Sequence, residues 1–328
     1  MPVSPAAIKR FGAIPNLNVL PSERLAPHTR FQIGGPAALF CDTADAGAFT
    51  EALQTAKELA LPRMIIGGGT NLVISDAGFD GVVLRYTGSR IQRDGLLLHV
   101  EAGALLQSVV DQSIALGLQG LQTMTGIPGY LGGAVYGNAG AYGRSIEELV
   151  ERVHVTDGDV ALVLGNHECR FRYRDSIFKD RKNWIVLSAE LRFENGEPLQ
   201  LAKTAAEIRT IRDSKYPPMM KCAGSIFKNL FFRDLPARVQ SEIPASVVRE
   251  GKVPSAWFLE QIGAKGLRRG DIQVASYHAN LIYNDGAGTA SDLVAVIQDL
   301  KNRVRARFAI ELEEEVQYLG FEYADALA

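Results

Sequence analysis

Cysteine is scarce in this chain: Cys41, Cys169 and Cys222 are its only three. They are odd in number, far apart and form no C-x-x-C pair, so neither a zinc site nor a disulfide framework is expected, and a reducing compartment fits. No stretch reaches the ~18 consecutive apolar residues that a spanning helix needs. The opening MPVSPAAIKRFGAIPNL lacks the apolar core of a secretory signal. A cytoplasmic location with no membrane partner is therefore expected. Neither sign of charge dominates, with 35 Lys and Arg against 37 Asp and Glu, so the basic footprint of nucleic-acid binding is missing. Repeats and low-complexity tracts are missing too. What is present is an ordinary globular balance, 47% hydrophobic and 22% charged over 328 residues, enough for two or three domains.

Periodicity gives an α+β pattern. Residues 1–26, rich in proline, read as an arm with one helical turn. Ala37 to Cys41 reads as a strand. Asp45 can cap a helix carrying Phe49, Leu53, Ala56 and Leu59 at helical spacing, stopped by Pro62. Met64 to Ile66 is a short buried strand. Further strands are expected at Val82 to Arg85, Leu96 to Glu101, Val150 to Thr156, Val160 to Leu164, Cys169 to Tyr173 and Trp184 to Phe193. A helix is expected from Ala104 to Leu116, ended by Gly117, and another at 201–214, stopped by Pro217 and Pro218. The last third predicts a short helix from Ala256 to Ile262, a strand from Tyr277 to Tyr283, and a long amphipathic helix at 289–308. The buried stripe of that helix is Leu293, Val296, Ile297, Leu300 and Val304. Glu311 to Leu319 returns to strand. Boundaries fall near 62, 200 and 308.

Two glycine-rich segments carry the chemistry. Gly67-Gly68-Gly69-Thr70-Asn71-Leu72 directly follows a buried strand, where glycine lets backbone N–H groups converge on a pyrophosphate. The segment is not a P-loop, because no Gly-Lys-Ser/Thr follows. It is not a Rossmann fingerprint either, because Leu72 stands where the third glycine belongs. The second segment, residues 126–143, has glycine at seven of its eighteen positions. Its Ile, Val, Leu and Tyr set it apart from a flexible linker. Ordering so much glycine costs chain entropy, which suits a loop packed closely on a flat ligand.

With Thr29-Arg30-Phe31-Gln32-Ile33-Gly34-Gly35, Tyr173-Arg174-Asp175-Ser176, Gly224-Ser225-Ile226-Phe227-Lys228-Asn229, His278-Ala279-Asn280 and Glu315-Val316, these segments occur in an order that resembles the UDP-N-acetylenolpyruvoylglucosamine reductases. The resemblance runs from about Thr29 to Gly320. It implies a vanillyl-alcohol-oxidase/PCMH-type FAD-binding fold in two subdomains, 1–62 (rejoined by 309–328) and 63–200, followed by an α+β substrate domain at 201–308. It implies FAD held non-covalently, with His28 and Cys41 structural. NADPH is the implied co-substrate, sharing one site in alternation with UDP-N-acetylglucosamine enolpyruvate. The implied product is UDP-N-acetylmuramate, for peptidoglycan synthesis, and the implied state is a monomer. Cofactor contacts fall on Gly34 and Gly35; on Ile66, Gly67, Gly68, Gly69, Thr70, Asn71 and Leu72; on Thr125, Gly126, Ile127, Pro128, Gly132 and Gly133; and on Asn138, Ala139 and Gly140. Substrate contacts fall on Tyr142, Arg212, Lys215, Lys228, Asn229, His278 and Asn280. No metal is implied.

The implied catalytic residues are Arg174, Ser225 and Glu315. Hydride reaches the terminal carbon of the enolpyruvyl group, and charge develops at the carbon bearing the carboxylate. Arg174 would clamp that carboxylate and the enolate, and Ser225 would protonate the carbon, a task needing position more than a matched acidity. Glu315 must be protonated, or act through water or a cation, to sit beside an enolate. Alternation would put it on one face with Glu313 and leave Glu314 on the other. Two rival readings keep the scaffold: another FAD oxidoreductase, or a non-catalytic UDP-sugar sensor. The chain resembles the branch of the family without an extra tyrosine-bearing loop, since Lys179 to Trp184 runs straight into a strand. It departs from the family pattern at Leu230 and Gln317, and residues 230–256, with Arg233, Arg238 and Arg249, form a longer stretch with no assigned role.

Overall fold

The computed structural model describes residues 3–321. Its contacts gather into two compact units. The first comprises the chain up to Glu23, Ala37–Gly69 and Phe79–Ser214; the second comprises Arg24–Pro36, Thr70–Gly78 and the chain from Lys215 onward.

In the first unit Asp45 caps the helix Ala46–Glu58, accepting the Ala48 N–H at 2.9 Å, as its short carboxylate suits. That helix buries Phe49, Ala52, Leu53 and Ala56. The strand Ala37–Thr43 pairs in parallel with Phe79–Tyr86, which pairs in parallel with Arg63–Ile66. Asn18–Pro21 closes this four-stranded sheet as an antiparallel edge. A five-stranded antiparallel sheet follows, ordered Ala161–Gly165, Val150–Thr156, Ile185–Arg192, Leu97–Glu101 and Ile91–Asp94. The helix Leu106–Ala115 buries Val109 and Val110 in the same core.

The parallel pairing of Arg63–Ile66 explains why the division differs from the boundaries expected near 62 and 200: strands on both sides of residue 62 share one sheet. The helix Pro198–Lys215 begins near the second expected boundary, but up to Ser214 it belongs to the first unit, with Leu201, Ala205 and Ile208 buried. The chain end, for which a return to residues 1–62 is expected, shares a buried core with Phe31 and Ile33. Its strand Gln317–Leu319 pairs in parallel with Leu72–Ile74, within the second unit. Residues 322–328 of the expected 309–328 return lie outside the described residues.

The second unit is organised by the 19-residue helix Ala290–Phe308. Thr289 accepts the Asp292 N–H, and Asp76 accepts the N–H groups of Ala290 and Ser291, so three orphan donors of the first turn find side-chain partners. Its expected stripe is buried, with Phe308 added. Phe308 meets Phe258 edge-on at 5.3 Å between ring centroids. A three-stranded antiparallel sheet, Arg268–Arg269, Ile272–Val274 and Ile282–Asn284, packs into the same core. The longer stretch at 230–256 folds back on itself here: Leu230–Phe231 pairs with Lys252–Val253, and Leu235, Val239 and Ile243 are buried.

Three strand expectations need correction. Cys169–Tyr173 is no strand; a 3-10 turn, Asn166–Cys169, leads to Arg170 at φ 46° and a tight turn. The strand expected from Tyr277 begins only at Ile282, and the one expected from Glu311 only at Gln317. Before each, the backbone pairs through isolated bridges instead. Among the described residues, no helix is long and apolar enough to cross a membrane. The three cysteines are buried and free, and burial pushes the Cys41 and Cys169 thiols up to about 12.

Candidate active site

In the first unit the two glycine segments meet. A Cβ placed on Gly68 would stand 3.2 Å from the Gly129 Cα, and one on Gly67 would stand 3.7 Å from the Tyr130 ring. Gly132 is held against Ala102, where an added Cβ would come within 2.9 Å, whereas Gly133 faces open space. Glycine at 68 and 132 is thus needed for backbone approach. Gly126, at φ 80°, lies beneath a cationic pair: a Cβ there would meet Arg212 at 3.2 Å and Arg209 at 3.5 Å. Arg209 was passed over in the sequence; its signal is the i, i+3 spacing to Arg212 on one helix.

Asn138 is buried in the left-handed region at φ 44°, and its side chain donates to the Arg172 carbonyl at 2.9 Å while accepting the Glu147 N–H at 3.3 Å. Its amide therefore braces the loop expected to carry the cofactor contact. Gly34 and Gly35 belong to the second unit, where Gly35 donates to the Ser75 carbonyl at 2.9 Å. A Cβ on Gly35 would stand 2.2 Å from the Asp76 carbonyl oxygen. Chain packing alone requires glycine at 35.

Arg174 occupies a two-residue turn. Arg172 and Asp175 exchange both backbone hydrogen bonds at 3.0 Å, leaving Tyr173 and Arg174 at the tip. Arg174 sits at φ 57°, an unusual conformation for a side chain this long. Its guanidinium donates to the Gly140 carbonyl at 2.9 Å and lies over the Tyr173 ring at 5.2 Å; its own carbonyl accepts from Lys179 Nζ at 2.6 Å. Buried Ser176 anchors the turn by donating to the Tyr136 carbonyl. Tyr142 is half exposed, at φ 52°.

In the second unit Ser225 and Glu315 lie on adjoining irregular segments. Ile226 donates to the Asn280 carbonyl, and Glu315 donates to the Ile226 carbonyl at 2.7 Å. The Asn280 side chain exchanges two hydrogen bonds of 2.9 Å with the Phe227 backbone. Asn71 Nδ2 donates to the Glu315 carbonyl at 2.8 Å. Both asparagines thus fix the backbone beside the candidate acid and carboxylate. Lys228 pairs with the Glu313 carboxylate and Lys301 with Glu314 at 2.9 Å. Asn229 accepts the Ser255 N–H at 3.3 Å.

His278 is held neutral. Burial, then the Lys215 charge, lowers its pKa to about 4. Its Nδ1 accepts the Asn280 N–H at 3.1 Å, an acceptor role only a neutral ring can fill. Tyr216, not singled out in the sequence, lies between Lys215 and Ser225: its hydroxyl is 3.1 Å from Ser225 Oγ.

The chain is similar to known proteins. A model described as an FAD binding domain matches residues 37–163, and one described as the C-terminal domain of UDP-N-acetylenolpyruvoylglucosamine reductase matches residues 216–319. The UDP-N-acetylenolpyruvoylglucosamine reductase of Solibacter usitatus is 54% identical, over 95% of this chain and 100% of its own length. The chain belongs to the UDP-N-acetylenolpyruvoylglucosamine reductase family. The reductase of Rubrobacter xylanophilus is 35% identical over 91% of the chain and 94% of its own. The crystal structure of the reductase from Thermus caldophilus superposes with a TM-score of 0.72 at 28% identity, covering 92% of this chain and 98% of the other.

The α+β fold with an FAD-binding domain is therefore that of these reductases. The FAD-binding match spans both glycine segments, and the C-terminal match holds Ser225 and Glu315, while Arg174 lies between the two matches. The residues present fit a dinucleotide. Gly67 and Gly68 approach Gly129 and the Tyr130 ring closely with no side chains of their own, and Thr123, on the turn before Gly129, carries a buried hydroxyl without a hydrogen-bond partner among the described residues.

Proposed function

We propose that this member of the family reduces UDP-N-acetylglucosamine enolpyruvate to UDP-N-acetylmuramate with NADPH, as a cytoplasmic monomer. FAD would be held without a covalent bond by the backbone of Gly67–Gly69 and Gly126–Gly133, where glycine admits pyrophosphate oxygens to the N–H groups. When bound, it supplies a hydride for the terminal enolpyruvyl carbon. Arg174 holds the substrate carboxylate through its planar fork and stabilises the charge that moves into the enolate. Ser225 then donates its proton to the carbon bearing the carboxylate. Glu315 lies on the segment bonded to the one that carries Ser225. Arg212 and Lys215 provide positive charge for the diphosphate.

The observation that carries this reading is the bond from Glu315 N–H to the Ile226 carbonyl, which supports a shared role for Ser225 and Glu315 by holding their backbone segments side by side. Anaerobic spectroscopy tests the reaction. A flavin absorbance that bleaches with NADPH and returns with the enolpyruvyl sugar is expected; a flavin that ignores the sugar overturns the substrate, and a protein that cannot be loaded with FAD overturns the whole reading.

A further inference from the structure

A serine that gives up its proton becomes an alkoxide, and an alkoxide must be quenched before the next turnover. Among the described residues, a second hydroxyl stands within hydrogen-bond reach of Ser225. The Tyr216 hydroxyl stands 3.1 Å from Ser225 Oγ. Tyr216 is fixed from several sides: its ring is 6.4 Å from the His278 imidazole, tilted by 37°, and the Lys215 ammonium stands 5.0 Å from the ring centroid. Ser225 is equally fixed, by the bridge to Leu281 and by the following Ile226–Asn280 bond. Two hydroxyls on such supports hold one geometry.

We propose that Tyr216 is the positioning residue for Ser225 and the source of the proton that restores it. The proposal rests on the reading of Ser225 as the acid. The steps balance. The Ser225 O–H bond breaks and a C–H bond forms at the carbon bearing the carboxylate, leaving a serine alkoxide. The Tyr216 O–H bond then breaks, the Ser225 O–H bond re-forms, and the charge moves to the phenolate. A solvent proton finally returns to Tyr216. A phenol ionises near 10, far below an aliphatic alcohol, so the second transfer runs strongly downhill. His278, kept neutral by burial and by its acceptor role toward Asn280, does not compete as a cationic proton donor.

Stopped-flow measurement of the two half-reactions on Tyr216→Phe, Ser225→Ala and the double variant of the FAD-loaded enzyme tests this. Tyr216→Phe should reduce with NADPH at the wild-type rate, then lose roughly 10- to 100-fold in maximal rate with the enolpyruvyl sugar, a loss in the range of general acid–base contributions. Its half-saturation concentration should be unchanged. In the double variant the tyrosine change should add no further loss, and melting midpoints of the FAD-free proteins should be non-additive across the same cycle. 3-Fluorotyrosine at 216, which keeps the shape and the proton, should restore the rate. If Ser225→Ala is impaired while Tyr216→Phe stays within twofold of wild type, the proposal fails and the Ser225 reading stands. An unimpaired Ser225→Ala overturns both. Equal slowing of both half-reactions, full multiplicative loss in the double variant, or failure of fluorotyrosine to restore the rate makes Tyr216 merely structural and overturns the proposal.

Discussion

Arg174 combines a candidate function with a cost. A left-handed backbone costs a non-glycine residue about 1–2 kcal/mol, and here the turn is held by the Arg172–Asp175 pair and the Gly140 carbonyl. Arg174→Gly relieves that strain while losing one hydrogen bond worth about 1 kcal/mol. Its melting midpoint should stay within a few degrees of wild type, while turnover of the enolpyruvyl sugar falls at least ~100-fold. A large drop in melting temperature would instead mark Arg174 as structural. His278 carries a pH dependence. Its folded value of about 4 lies below the ordinary 6.5, so the unfolded chain takes up the proton first as pH falls. The native state therefore loses stability between pH 6.5 and 4, by about 1–2 kcal/mol once partial exposure is allowed for. Urea midpoints at pH 7 and 5 should show a smaller drop in His278→Gln than in the wild type.

At the scale of elements, short irregular segments hold the candidate site, and each depends on a single contact type. Asn280 satisfies both backbone groups of buried Phe227. Asn280→Ala strands them and should cost about 2–3 kcal/mol, with a matching loss in urea midpoint and a slowed second half-reaction; stability equal to wild type would show that the brace is dispensable. The Gly35 turn is tighter still. A Cβ there would meet three backbone atoms within 2.8 Å, none of them able to rotate away. Gly35→Ala should therefore cost several kcal/mol or prevent folding, as backbone clashes do, whereas Gly133→Ala, facing open space, should fold normally and show its effect in FAD affinity.

At the scale of the whole molecule, two units each carry a core of their own, and the chain passes between them repeatedly before Lys215. A ligand that binds only the folded chain stabilises it by mass action. Free FAD at ~100 times its dissociation constant should contribute about 2.7 kcal/mol, raising the melting midpoint of FAD-free protein by several degrees and in proportion to the logarithm of concentration. A midpoint indifferent to FAD would count against the cofactor assignment.

Local chemistry was legible in the residues themselves. Asp45 and Thr289 announce their helices by side chains that can accept an N–H, and the stripe from Leu293 to Val304 needs only helical period to be read. The order of motifs was enough to name the family. Tertiary structure decided the rest. Cys169 to Tyr173 has a strand's composition, yet the demand to place Arg174 at a turn tip outweighs propensity. The amides of Asn71, Asn138 and Asn280 bond backbone groups far along the chain, partners that no local pattern names. Tyr216 became visible only when Ser225, nine residues on, folded back to within 3.1 Å of it. Sequence specifies which groups can bond; which partner each one meets depends on chain crossings that no local pattern encodes.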